Sequence, residues 1–139
     1  MTAKLPVGLI ASLLFLFRKP LVLWDLYRRA KPFRRGMVLG MRGEEMLRIL
    51  DSHPEWSMVV FGREDGGGQA QVENHDGHLH FHGTHLSKLS EAPILEELKR
   101  CQYIWVLYRS GTAYGTIELN VNSEHCISAI KPFRARQEC

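Results

Sequence analysis

The pair Asp76-Gly77 stands between two segments of alternating polar and apolar residues, Gln69–Asn74 and His78–Gly83. A two-residue type I′ turn needs positive φ at both central positions, and Asp-Gly adopts it readily, so this spacing predicts a β-hairpin. The preceding Trp56–Gly62 (WSMVVFG) is a β-branched and aromatic run that ends in Glu64-Asp65-Gly66-Gly67-Gly68, which predicts a third, antiparallel strand. Any fold of this chain must therefore contain an antiparallel sheet.

Helices punctuate the strands. Glu44–Ser52 places Met46, Leu47, Ile49 and Leu50 at helical spacing, and His53-Pro54 supplies the stop. Ser90 reads as the N-cap of a second helix over Glu91–Cys101, with Pro93 tolerated in its first turn and Ile94, Leu95, Leu98 and Cys101 on one face. Tyr103–Arg109, Tyr114–Val121 and His125–Lys131 then predict three further strands, the first two joined at Ser110-Gly111-Thr112. The polar residues Phe133–Cys139 are expected to fray.

The two halves share the order helix-strand-strand-strand, with Met46, Leu47 and Leu50 falling opposite Ile94, Leu95 and Leu98. The expected fold is α+β: a largely antiparallel sheet of six strands with helices on one face, an α-β-β-β unit written twice. At 139 residues and 45% apolar content the chain can bury one core without staples.

Ahead of this body, residues 1–35 form an apolar and basic N-terminal segment, and 36–139 the α+β domain. Leu5–Phe17 (LPVGLIASLLFLF) is 13 residues without a charge. A spanning helix needs about 20. A signal peptide is disfavoured too, because Phe15, Leu16, Phe17 and Arg18 stand where small residues should precede cleavage. Pro20 is expected to break the helical pattern, after which LVLWDLYRRA mixes apolar residues with Trp24, Tyr27 and a basic end.

The formal net charge of +3 hides a split at Gly36: eight basic residues against Asp25 give +7 before it, and ten basic against 14 acidic give −4 after it. In one reading the segment is a membrane-surface anchor, with Arg18, Lys19, Arg28, Arg29, Lys31, Arg34 and Arg35 facing anionic lipid and Trp24 at the interface. In the other it forms helices packed on the sheet, its basic residues an ordinary solvated face. The anchor reading expects a chain beginning near Met41 to keep its fold. A third reading has the basic residues holding nucleic acid, although the acidic body would repel a polyanion.

Five of the seven histidines lie in NHDGHLHFHGTH, at His75, His78, His80, His82 and His85. If the strand runs to Gly83, alternation puts His78, His80 and His82 on one face, where they could share a divalent transition metal, with His125 a further ligand if the last strand is near. Residues 78–83 resemble the zinc-ligand strand of the alpha-class carbonic anhydrases, but the chain lacks that family's other motifs and is too short for its fold. The alternative is a solvated strand face behind which Leu79 and Phe81 pack.

No nucleophile can be nominated: the serines lack a nucleophile-elbow context, and the Gly66–Gly68 turn lacks a phosphate-loop ending. Trp56, Tyr103, Trp105 and Tyr108 read as packing residues. Three dispersed cysteines without C-x-x-C spacing suit reduced thiols in a cytoplasmic protein. The expectation is thus a non-enzymatic interaction or regulatory module associated with a membrane surface and bound to a protein partner. A metal-dependent protein using His78, His80 and His82 and a nucleic-acid-binding protein are the alternatives.

Overall fold

The computed structural model describes residues 7–64 and 68–137, with side chains from residue 21 onward. In chain order the elements are α1 (Val7–Gly36), α2 (Gly43–Ser52), β1 (Met58–Gly62), β2 (Gln69–His75), β3 (His78–Phe81), β4 (Thr84–Leu86), α3 (Ala92–Arg100), β5 (Tyr103–Ser110), β6 (Ala113–Val121), β7 (Ile127–Ile130) and β8 (Arg134–Gln137). The strands make one antiparallel sheet in the order β4-β3-β2-β1-β5-β6-β7, with β8 also paired to β6. β1 and β5 form the central seam, Val60 opposite Trp105, and each half of the chain runs outward from it. The architecture is the expected α+β, with four strands after each of the two short helices rather than three.

Strand alternation divides the sheet into two faces. One carries Val59, Phe61, Val72, Ile104, Val106, Tyr108, Ile117 and Leu119, all buried in a single core with residues from all three helices. Met46, Leu47 and Leu50 of α2 and Ile94 and Leu98 of α3 enter that core, as their spacing required. The other face carries Met58, Gln71, Glu73, Tyr103, Trp105, Leu107, Tyr114, Thr116 and Glu118, and none of the described helices covers it.

The second half of α1 packs across β5, β6 and β8. Leu26, Ala30 and Phe33 follow one another at i, i+4 and i+7 and are fully buried, with Val22, Leu23 and Met37 packed beside them. The inner face of residues 22–37 therefore belongs to the domain's core. Arg29 fastens the same face by polar contacts, donating to the backbone carbonyls of Arg109 (2.5 Å) and Glu55 (2.7 Å).

Pro20 does not end this helix, which continues through both Pro20 and Pro32. An interior proline removes one donor at a cost of about 3 kcal/mol. Full burial of side chains such as Leu26 and Phe33 contributes about 1.5–3 kcal/mol each, enough to hold the helical path against that loss.

Of the C-terminal residues expected to fray, Arg134–Gln137 instead form β8, and 138–139 lie outside the described residues. Ala135 pairs with Gly115 and Arg134 with Thr116. Phe133, between β7 and β8, fills the space that Gly115 leaves by having no Cβ; an added Cβ there would lie 2.2 Å from the Phe133 ring. The ring meets Tyr27 edge-on at 4.7 Å and Tyr108 at 6.1 Å, and the Arg34 guanidinium lies 5.8 Å from its centre. Burial of one aromatic ring thus ties the C-terminal strand to α1.

Two local expectations are also corrected. Ser90 does not cap α3, whose N-cap position is Glu91; its hydroxyl donates to Asp51, which also accepts the Leu89 and Ser90 backbone N–H groups and so links α2 to the loop before α3. β3 stops at Phe81, because His82 and Gly83 take φ of 49° and 77° and turn the chain into β4.

These contacts separate the two faces of α1 energetically. Phe33→Ala should cost about 3–5 kcal/mol in urea denaturation through the cavity it leaves, whereas Trp24→Ala, on the outer face, should stay within about 0.5 kcal/mol of wild type.

Candidate functional site

The outer face of α1 is set by the same periodicity that buries its inner one. Leu21, Trp24, Arg28, Lys31 and Arg35 recur at alternating spacings of three and four and form one exposed stripe, with Tyr27 and Arg34 beside it. Leu21 is 60% exposed and Trp24 63%. Among the described residues the large exposed hydrophobic side chains are Leu21, Trp24, Tyr27, Val38 and Leu39, so all of them fall on α1 or directly after it. Leu21 and Trp24 are thus exposed apolar side chains in line with three cations on one helix face.

The basic residues are not equivalent. Arg28 is paired with Asp25 at 2.7 Å, which raises its pKa by hydrogen bonding and charge. Arg29 faces inward, and Arg34 lies over Phe133. Lys31 and Arg35 project into solvent. The side chains of Arg18 and Lys19 lie outside the described residues.

The histidines form a different cluster from the one that alternation alone suggests. His78 and His80 share a face of β3, but His82 leaves it at the turn. Strand register instead sets Glu73, His80 and His85 side by side across β2, β3 and β4. The His80 ring lies 4.4 Å from that of His85 and 5.3 Å from that of His75, whose Nε2 is 3.1 Å from Glu73. His125 is remote, since β2, β1, β5 and β6 separate β3 from β7. Among the described residues no three His, Cys, Asp or Glu side chains converge as a metal would require.

On the same uncovered face, a cavity of about 510 Å³ is lined by Trp105, Tyr114, Thr116, Glu118, Lys131, Pro132, Arg134 and Arg136. β5, β6 and β8 bring these residues together: Trp105 faces Glu118, Thr116 faces Arg134 and Tyr114 faces Arg136. Glu118 accepts the Trp105 indole N–H at 2.7 Å and is ion-paired with Lys131. The Lys131 hydrogen bond, then that of Trp105, holds the Glu118 carboxyl below its ordinary pKa despite partial desolvation. Tyr114, Thr116 and Glu118 alternate along β6 and Arg134 and Arg136 along β8, but only strand register, which no local spacing shows, brings them together with Trp105.

Trp56 and Tyr108 are core residues, as expected, while Tyr103 and Trp105 lie on the uncovered face. Cys101 is buried, and desolvation pushes its thiol up to about 12, which suppresses thiolate chemistry. Burial likewise raises the Tyr108 phenol. Among the described residues no helix is long and apolar enough to cross a membrane. Comparison with protein-family models, curated proteins and solved structures finds no match to this chain.

The lowered pKa of Glu118 has a signed consequence. Its pairing stabilises the fold above the unfolded value of about 4.3, and that contribution disappears as pH falls through the lower folded value. Urea midpoints of wild type and Glu118→Gln should differ at about pH 7, and the gap should narrow progressively as pH falls below about 4; an unchanged gap would place the effect elsewhere.

Proposed function

We propose that this protein is a non-enzymatic module that rests on an anionic membrane surface through the outer face of α1 and offers the uncovered face of its sheet to a protein partner. The observation that carries the reading is the confinement of the large exposed hydrophobic side chains of the described residues to 21–39, with Leu21 and Trp24 in line with Arg28, Lys31 and Arg35. Apolar side chains at the depth of the headgroups, flanked by cations, match the two sources of interfacial binding: buried apolar area and attraction to acidic lipid.

Anchoring and packing are compatible because they use opposite sides of one helix. Lipid, α1, sheet and uncovered face then follow in that order, which directs Trp105, Tyr114 and the histidine cluster away from the membrane. No reaction is assigned: the Ser87 and Ser90 hydroxyls that donate to Glu91 and Asp51 serve the loop before α3.

Deleting residues 1–40 would strip Leu26, Ala30 and Phe33 from the core, so it cannot test lipid binding alone. Surface substitutions can. The full chain should cosediment with vesicles containing phosphatidylserine, and a Leu21→Ser, Trp24→Ser, Lys31→Glu, Arg35→Glu variant should lose at least about tenfold in partitioning while keeping its near-ultraviolet circular dichroism. Equal binding by the folded variant would overturn the reading, as would preference for an oligonucleotide that is lost with the same residues.

A further inference from the structure

We infer that the cavity on the uncovered sheet face is a nucleotide site, taking a flat heterocycle against the Trp105 indole and a phosphate on Arg134 and Arg136. This inference is independent of lipid binding by α1, which lies on the other side of the sheet.

Charge is the first argument. The lining holds three cations, Lys131, Arg134 and Arg136, against one carboxylate, Glu118. Glu118 is already bound to Lys131 and to the Trp105 indole. The guanidiniums of Arg134 and Arg136 are exposed, and no carboxylate among the described residues forms an ion pair with either. They occupy alternate positions of β8 and so emerge on one face. Two neighbouring guanidinium forks suit a dianion with several acceptor oxygens, which a phosphate provides and a single carboxylate does not.

Shape is the second. Trp105 and Tyr114 are half-buried on adjacent strands, and the bond to Glu118 fixes the indole instead of leaving it free to collapse into the hollow. Thr116 lies between them in register and offers a hydroxyl. Aromatic rings beside cations on an open antiparallel sheet provide base stacking together with phosphate neutralisation. A volume of about 510 Å³ is within the range of small-ligand sites and larger than a single phenyl ring with phosphate would fill. The same chemistry could be presented by a free mononucleotide or by one residue of a single strand.

The test is a fluorescence titration of the full-length Trp24→Phe protein, in which Trp56 is buried and Trp105 lines the cavity. Adenosine and guanosine monophosphates should quench saturably. Adenosine should bind at least tenfold more weakly, and Arg134→Ala and Arg136→Ala should each weaken the monophosphates by about 10–100-fold with unchanged circular dichroism. Tighter binding of a short single-stranded oligonucleotide, sensitive to the same two arginines, would identify a strand as the source of the nucleotide. Absence of saturable quenching by both mononucleotide and oligonucleotide would overturn the inference. So would arginine variants that bind normally, or a phosphotyrosine peptide that binds more tightly than either nucleotide.

Discussion

Burial of Leu26, Ala30 and Phe33 against β5, β6 and β8 is the interaction on which the rest of the structure depends. A sheet with one apolar face cannot remain exposed in water, and α2 and α3 supply only 10 and nine residues of helix. α1 covers the remainder. Its position also gives Phe133 an aromatic partner in Tyr27, and through Phe133 it helps to hold β8 on β6. The cavity-lining Arg134 and Arg136 thus owe their placement to a helix on the opposite side of the sheet.

Because the inner face of α1 is committed to the core, its outer face can carry apolar residues only at the expense of leaving them in water. Leu21 and Trp24 do so beside a row of cations. Under the proposed lipid contact that exposure would become favourable while the inner face stayed undisturbed, and the domain would bind as a rigid body instead of through a detached tail. The opposition of the two faces reconciles an anchor with a packed helix, readings that exclude each other only if the segment is treated as a unit.

Local physics was legible in the sequence. Asp76-Gly77 takes φ of 53° and 89° between paired strands, and the spacing of Met46, Leu47 and Leu50 and of Ile94 and Leu98 identified the buried sides of α2 and α3. Features set by distant partners were not. β8 has no apolar signature because Arg134 and Arg136 project from an edge strand held through its backbone. Pro20 reads locally as a stop because the burial that sustains α1 lies downstream and depends on the sheet. His82 reads as part of a strand because His-Gly is a weaker turn signal than Asp-Gly. The cavity depends on register, which sets Thr116 against Arg134 and no spacing along the chain reveals.

Amide hydrogen exchange of the full chain in solution, without lipid, tests the central claim most directly. The amides of Leu26 to Phe33 should exchange as slowly as those of β5 and β6, since their opening requires the shared core to open. Exchange of that stretch orders of magnitude faster, with β5 and β6 still protected, would show α1 to be a detachable appendage and contradict the account.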